Sequence, residues 1–276
     1  MEKRITKQIK NVLSLANKEI KLLKSLQLKK HRVKNSLFLA EGLKICAQAV
    51  NSGYHPKNIV FSEKYDLSDS VNNNILKKVI DDCFKNGGKV FKVSNKVLEK
   101  VSGKKNPQTV LGTFKPKLSK IMHIMDKKNA FWIALDRIRD PGNLGTIIRT
   151  VDAVNGNGVI LIGDCTDPFS LESVRASMGS IFNISIIKTS TFQFKEYLKF
   201  KDIYLIGTFL DAKKDYRRAN WKKSSILLLG NEKEGISEEL KNICSEQIII
   251  PMKGDADSLN VSISAGILLY EKIRSK

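Results

Sequence analysis

The chain has 276 residues, is 42% apolar and carries a formal charge of +20 at neutral pH, enough apolar content for one large or two ordinary cores and too much for a disordered chain. Its longest apolar runs, Ile226–Leu229 and Ile263–Tyr270, fall well short of the roughly 20 residues that cross a bilayer, and the opening MEKRITKQIK lacks a secretory apolar stretch, so a cytoplasmic protein with no membrane segment is expected. Four dispersed cysteines (Cys46, Cys83, Cys165, Cys244) without a CxxC pair, and three scattered histidines, offer no zinc site; the thiols read as small, semi-buried apolar side chains.

Residues 7–27 set Ile9, Val12, Leu13, Ala16, Ile20, Leu23 and Leu26 at helical spacing with lysines opposite, which predicts an amphipathic basic helix. A basic turn, KKHRVKN, follows. Short apolar runs at Leu37–Ala40, Ile59–Phe61, Val90–Val93 and Val110–Phe114 then alternate with helical stretches at Gly42–Val50 and Ile75–Phe84, the pattern of a small α/β domain. Residues 1–120 hold 26 Lys and Arg against 9 Asp and Glu, net +17, whereas residues 121–276 hold 22 against 19, net +3. So one-sided a distribution predicts that the first part, residues 1–120, binds a polyanion, with nucleic acid ahead of an anionic membrane surface.

The polar segment Lys115–Asn129, KPKLSKIMHIMDKKN, is the expected boundary, and residues 125–276 form the second domain. Strands are predicted near 131–136, 158–162, 184–187, 203–208, 226–229 and 247–250, with helices near 143–154, 171–182, 192–200, 236–244 and 259–274. The strands are near-continuous apolar runs, as in a parallel sheet covered on both faces.

In such a sheet, ligands bind beyond the carboxyl ends of the strands, and three loops there carry polar residues. The first is RDPGNLGTIIRT, Arg139–Thr150, with Asn143 near a helix start and Arg149 six residues on, inside an otherwise apolar helix. The second is GNEKEGIS, Gly230–Ser237, with Asn231 and Glu232 directly after a buried strand. The third is GDADSLN, Gly254–Asn260, after Pro251, where Asp257 and Ser258 are both good helix caps. Taken singly, each loop is explained as well by a cap or a solvent-facing charge as by a site. Neither PGNLGT nor NGNGVI has the GxGxxG spacing of a dinucleotide site, and GxxxxGK[ST] and GxSxG are absent. A nucleotide-dependent dehydrogenase is thereby disfavoured.

In order and spacing, DPGNLGTIIRT, LLLGNEKEGIS and IPMKGDADSLNVSISAGILLYE resemble the three motifs of the SpoU-type, or TrmH-like, RNA ribose methyltransferases of the SPOUT superfamily, over residues 131–274. The segment KSLQLKKHRVKNSLFLAEGLKICAQAV, Lys24–Val50, resembles more loosely the substrate-binding domain that precedes the catalytic domain in many members. The resemblance implies an S-adenosylmethionine (AdoMet)-dependent 2′-O-methyltransferase, a homodimer, with a deep trefoil knot in a C-terminal parallel-sheet α/β domain. It implies Arg149 as the catalytic arginine with Asn143 beside it, and Glu232, Ser258 and Asn260 to complete the active site; on chemical grounds Glu232 is expected to orient the arginine. AdoMet is implied to lie against backbone at Gly207, Thr208, Gly230, Ile250 and Leu259. Asp257 stands where members often have Glu, and Asp255 reads as a surface residue. Ribosomal RNA of the 23S type is the expected substrate, with tRNA as the near alternative. A non-catalytic RNA-binding or ribosome-assembly protein is the competing class.

Overall fold

Strand and helix alternate throughout the computed structural model, which describes residues 8–65, 71–124, 130–201, 203–221 and 224–275. The chain divides into two units, one of residues up to Pro116 together with Asp167–Phe182, the other of Lys117–Thr166 and the residues from Asn183 onward.

The first unit contains β1 (Lys10–Val12), α1 (Lys18–Ser25), α2 (Lys29–Asn35), β2 (Phe38–Glu41), α3 (Leu43–Asn51), β3 (Asn58–Ser62), α4 (Val71–Lys85), β4 (Lys89–Val93), α5 (Asn95–Ser102) and β5 (Val110–Phe114). Its sheet has the order β1-β4-β3-β5-β2. The first three strands run parallel, and β5 is antiparallel to both β3 and β2. Leu111 joins Ile20, Leu23, Val97 and Leu98 of α1 and α5 in one core cluster. The next residue of β5, Gly112, faces the other way, where an added Cβ would meet Cys46 Sγ of α3 at 3.0 Å. The two helix pairs therefore cover opposite faces of the sheet.

Two expectations for this region are corrected. The segment 7–27 is a three-residue strand and then a helix: β1 pairs in parallel with β4, Val12 is buried and Leu13 is exposed, and the helix starts only after Asn17, whose side chain accepts from Glu19 N–H at 2.9 Å. A helical period over the first half gives way to an edge-strand register, because three ladder pairs outweigh a stripe that Leu13 does not continue. Lys7 lies outside the described residues. KKHRVKN is a helix, α2, closed by Ser36 in the left-handed region (φ 50°). Helix α5, with Val97, Leu98 and Val101 buried, was not among the expected elements.

The second unit begins with β6 (Phe131–Asp136), α6 (Pro141–Ala153) and β7 (Gly158–Ile162). The chain then contributes Asp167–Phe182, including α7 (Leu171–Ala176), to the first unit. It resumes with β8 (Ser185–Thr189), α8 (Thr191–Lys201), β9 (Tyr204–Thr208), β10 (Ser225–Leu229), α9 (Glu238–Lys241), β11 (Glu246–Ile248) and α10 (Val261–Arg274). The six strands, in the order β11-β9-β10-β6-β7-β8, are all parallel, as the apolar runs predict. The expected single helix over 171–182 ends at Ala176, because Met178 (φ 52°) and Gly179 (φ 99°) turn the chain before a short 3₁₀ segment, Ser180–Phe182. Of the boundary segment, residues 125–129 lie outside the described residues.

Within the first unit, Asp167–Phe182 is held by side chains rather than by a ladder. Phe169 and Phe182 stand 4.9 and 5.9 Å from Phe38, ring centre to ring centre. The Arg32 guanidinium, 7% exposed, donates to Asp167 at 2.7 Å and to the carbonyls of Leu26 and Gln27 at 2.9 and 2.8 Å. Arg175 pairs with buried Glu41, which also accepts from Ser102 Oγ at 3.1 Å and Gln108 N–H at 2.8 Å.

Candidate active site

All six strands of the second unit end at one edge, and the three polar loops follow β6, β10 and β11 there. After β6, Asp140 caps α6, accepting from Asn143 N–H at 2.6 Å, and Pro141 supplies the fixed φ of a first helical turn. That cap presents Asn143. Its amide nitrogen donates to Glu232 Oε1 at 3.1 Å, and its amide oxygen accepts from Asn260 Nδ2 at 3.0 Å. One side chain thus ties all three loops together.

The turn that carries Glu232 is built on backbone contact. Asn231 and Gly235 exchange both main-chain hydrogen bonds at 3.0 Å, and Asn231 Oδ1 accepts from the N–H groups of Lys233 and Glu234 at 2.9 and 3.1 Å. Gly230 lies so close beneath that an added Cβ would stand 2.1 Å from the Gly235 carbonyl carbon. The turn is fastened to β6 at a pair the sequence reading passed over, Asp136 and Arg137. Asp136 is 1% exposed and accepts from Ser237 N–H at 2.8 Å and from Arg137 Nε at 3.1 Å. Arg137 sits in the left-handed region (φ 56°), pairs with Glu234, and receives Asn231 Nδ2 on its carbonyl at 2.8 Å. Hydrogen bonding to the Asp136 carboxylate raises the guanidinium pKa further above its ordinary value. The signal for the pair was a charged residue closing a buried strand, in FWIALDRI.

The third loop starts α10. Its cap is Asn260, whose Oδ1 accepts from Ser262 N–H at 2.9 Å, rather than Asp257 or Ser258. Asp255 and Asp257 are exposed. The loops of β9, β10 and β11 enclose a cavity of about 360 Å³. Thr208, Gly230, Glu232, Ile250, Ser258, Leu259 and Asn260 are in its wall; Gly207, Asn143 and Arg149 are not. Gly207 instead packs below it, where a Cβ would meet Cys244 Sγ at 2.6 Å.

Arg149 is exposed in mid-α6 and has no hydrogen bond or ion pair with any described residue. Six residues rotate it roughly 240° from Asn143 about the helix. Within one chain Glu232 therefore bonds Asn143 and not the arginine it is expected to orient. The cysteines stay outside the chemistry: desolvation by burial pushes Cys46, Cys83 and Cys244 up to about 12 and Cys165 to about 11, so none is a thiolate at neutral pH. Among the described residues no group of three or more His, Cys, Asp or Glu is arranged to hold a metal ion, and no helix is long and apolar enough to cross a membrane.

A cavity of this size, walled by apolar side chains and open backbone with a few convergent polar groups, suits a small organic ligand. These features define a parallel α/β protein that holds such a ligand at the carboxyl edge of its sheet. Residues 130–270 match the model of the SpoU rRNA methylase family, and residues 17–112 match that of the MRM3-like substrate binding domain. The chain belongs to the SpoU rRNA methylase family. It is 27% identical over 265 residues, 95% of this chain and 98% of the relative, to a 23S rRNA (guanosine(2553)-2′-O)-methyltransferase of Bacillus subtilis. It is 26% identical, over 89% of this chain and 85% of the relative, to a 23S rRNA (uridine(2479)-2′-O)-methyltransferase of Streptomyces viridochromogenes. An AdoMet-bound rRNA methyltransferase from Sinorhizobium meliloti superimposes with a TM-score of 0.89 at 39% identity, covering 97% of this chain and 98% of that one.

Proposed function

We propose that this chain methylates a ribose 2′-hydroxyl of ribosomal RNA, of the 23S type, using AdoMet. The carrying observation is the junction at Asn143, which brings Glu232 and Asn260 together at the rim of the cavity. Thr208, Gly230, Ile250 and Leu259 are the residues that would hold AdoMet, which supplies an electrophilic methyl group when bound. Their fit rests on Gly230, whose lack of a Cβ lets the Gly235 turn close over the strand end and shape the cavity, and on the apolar wall of Leu229, Ile250 and Leu259.

The remaining chemistry falls to this chain's own groups. A ribose hydroxyl must be aligned with the methyl carbon and relieved of its proton as the bond forms. A guanidinium is a poor general base, so the part of Arg149 is a fixed positive charge that stabilises the developing alkoxide and holds a neighbouring RNA phosphate. Ser258 and Asn260 present a hydroxyl and an amide to the acceptor nucleotide, and the Asn143–Glu232 bond fixes where Asn260 stands. Residues 1–120 act as the RNA-binding domain and residues 125–276 as the catalytic one, with the donor held in a deep trefoil knot.

The working form is a homodimer in the cytoplasm. Support for the dimer comes from α10, where Ile263, Tyr270 and Ile273 form an exposed apolar row, 54%, 54% and 37% accessible, at helical spacing. Soluble monomers rarely leave such a row open. Incubation with methyl-labelled AdoMet, 23S rRNA and tRNA, followed by mapping of 2′-O-methylated positions, tests the reading. Label confined to one rRNA ribose supports it; no label on any RNA overturns it.

A further inference from the structure

The excess charge of the first unit is not spread evenly over its surface. The helix pair α3–α4 carries both signs: Lys77, Lys78 and Lys85 line a shallow cavity together with Asp81 and Asp82. The pair α1–α5 on the other sheet face differs. There the Gln27 side chain donates to the carbonyls of Lys100 and Val101 at 3.1 and 2.7 Å and lies against Gly103, 3.3 Å from where a Cβ would be. Around that one residue stand Lys24 in α1, Lys29 and Lys30 opening α2, Lys100 in α5, and Lys104 and Lys105 just past Gly103. All six are exposed and none has an ion pair with a described residue. The acids of this pair are Glu19 of α1, already paired with Lys89 of β4, and Glu99 of α5, one negative charge against the six lysines.

The corner is also held in shape. Arg32, the arginine of KKHRVKN, turns inward and bonds the carbonyls of Leu26 and Gln27 and the Asp167 carboxylate. The left-handed Gly103 (φ 76°) ends α5 and turns the Lys104–Lys105 loop. One basic residue of the run therefore fastens the α1–α2 corner while Lys29 and Lys30 face solvent.

We propose that this corner, centred on Gln27, is where the first unit grips the phosphate backbone of folded RNA. The proposal deepens the function proposed above and takes its RNA partner from it. Six ammonium groups on separate flexible stems suit a row of phosphates and lack the planar, bidentate geometry that reads bases. The surface accordingly fixes how RNA is held and leaves sequence choice elsewhere.

The test compares two full-length variants of equal net charge, K29E/K30E/K104E/K105E and K44E/K77E/K78E/K85E, in binding a fluorescein-labelled RNA hairpin across a salt series. The first set should lose at least tenfold more affinity than the second, and its salt slope should flatten by about 3, given roughly 0.7–0.9 per lost phosphate contact. A neutral version, K29Q/K30Q/K104Q/K105Q, should fall between wild type and the reversed variant; unchanged melting temperature and AdoMet affinity exclude misfolding. Equal losses from the two sets, or tighter wild-type binding to phosphatidylglycerol vesicles than to the hairpin, overturn the proposal. If wild type binds the hairpin but transfers no methyl group to any RNA, the function proposed above fails while this surface stands. If it methylates RNA and the two sets bind alike, only the surface fails.

Discussion

Asn143 and Glu232, 89 residues apart in the chain, are joined side chain to side chain at 3.1 Å. The same amide receives Asn260 on its oxygen, so an amide at position 143 satisfies a donor and an acceptor at once. Asn143→Asp keeps the acceptor but sets a second carboxylate against Glu232.

Asn143→Ala should therefore lower kcat about 10- to 100-fold while changing AdoMet affinity less than threefold. Its stability cost should be small, about 1 kcal/mol, since both bonds are solvent-exposed. Single-turnover methyl incorporation and calorimetric donor titration separate these quantities. A donor affinity that falls as far as kcat would mean that the junction shapes the cavity and not the acceptor side.

The Arg149 side chain has no hydrogen bond or ion pair among the described residues, so its loss should leave the melting temperature unchanged. Removing a charge that stabilises a developing alkoxide costs on the order of 100- to 1,000-fold in rate. Arg149→Lys retains charge without the planar fork and should recover only part of that loss. Wild-type rates from the lysine variant would rule out the assigned role.

Gly230→Ala places a methyl group 2.1 Å from Gly235 and 2.2 Å from the Ile236 nitrogen. Backbone cannot yield as a flexible side chain can, so the Asn231–Gly235 turn must move. AdoMet binding should be lost or weakened more than tenfold in calorimetry, whereas hairpin RNA binding should persist.

Asp136→Ala removes a buried carboxylate, strands the Ser237 N–H and leaves the Arg137 guanidinium only Glu234 and the Gly235 carbonyl. The cost should be roughly 2–3 kcal/mol, less than for a wholly buried pair because 28% of the Arg137 side chain is exposed. Urea denaturation measures it. Asp136→Asn keeps an acceptor for Ser237 and should recover about half.

The thiols give a pH dependence. Well below the ordinary thiol pKa of 9.0, folded and unfolded chains both carry neutral thiols. Above it the unfolded chain ionises, whereas the folded pKa values near 11 to 12 keep the buried thiols protonated, so stability falls between pH 9 and 12. Native protein at pH 8 should react slowly with iodoacetamide, and all four cysteines should react in denaturant. Rapid native labelling of Cys46, which is wholly buried, would contradict the packing.

The second sheet was legible because its central strands β6, β7 and β10 are buried on both faces and appear as unbroken apolar runs, such as Phe131–Leu135 and Ile226–Leu229. The polar positions after β6, β10 and β11 were legible for the same reason, since a buried strand must end where polar residues begin. What joins them was not. Nothing local in GDADSLN distinguishes Asn260 from Asp257 or Ser258 as the cap, because the choice depends on Asn143, 117 residues earlier. Residues 10–12 failed differently: Val12 fits a helix stripe and an edge strand equally well, and only pairing with Val93 of β4 decides. Glu232 and Arg149 were coupled through proximity of motifs, which says nothing about which way a helical residue points.

The segment Asp167–Phe182 has a bearing on how the protein is made. The aromatic cluster of the first unit is incomplete without Phe169 and Phe182, which meet Phe38, Phe114 and Tyr54. During synthesis, the first 116 residues therefore emerge with one apolar face still uncovered, and they wait while Lys117–Thr166 is translated. The amino-terminal unit cannot finish folding until residue 182 has left the ribosome tunnel, by which time two strands of the later unit, β6 and β7, have already emerged. Order of synthesis and order of completion are thus interleaved, and a gene fragment ending at Pro116 encodes an unfinished fold.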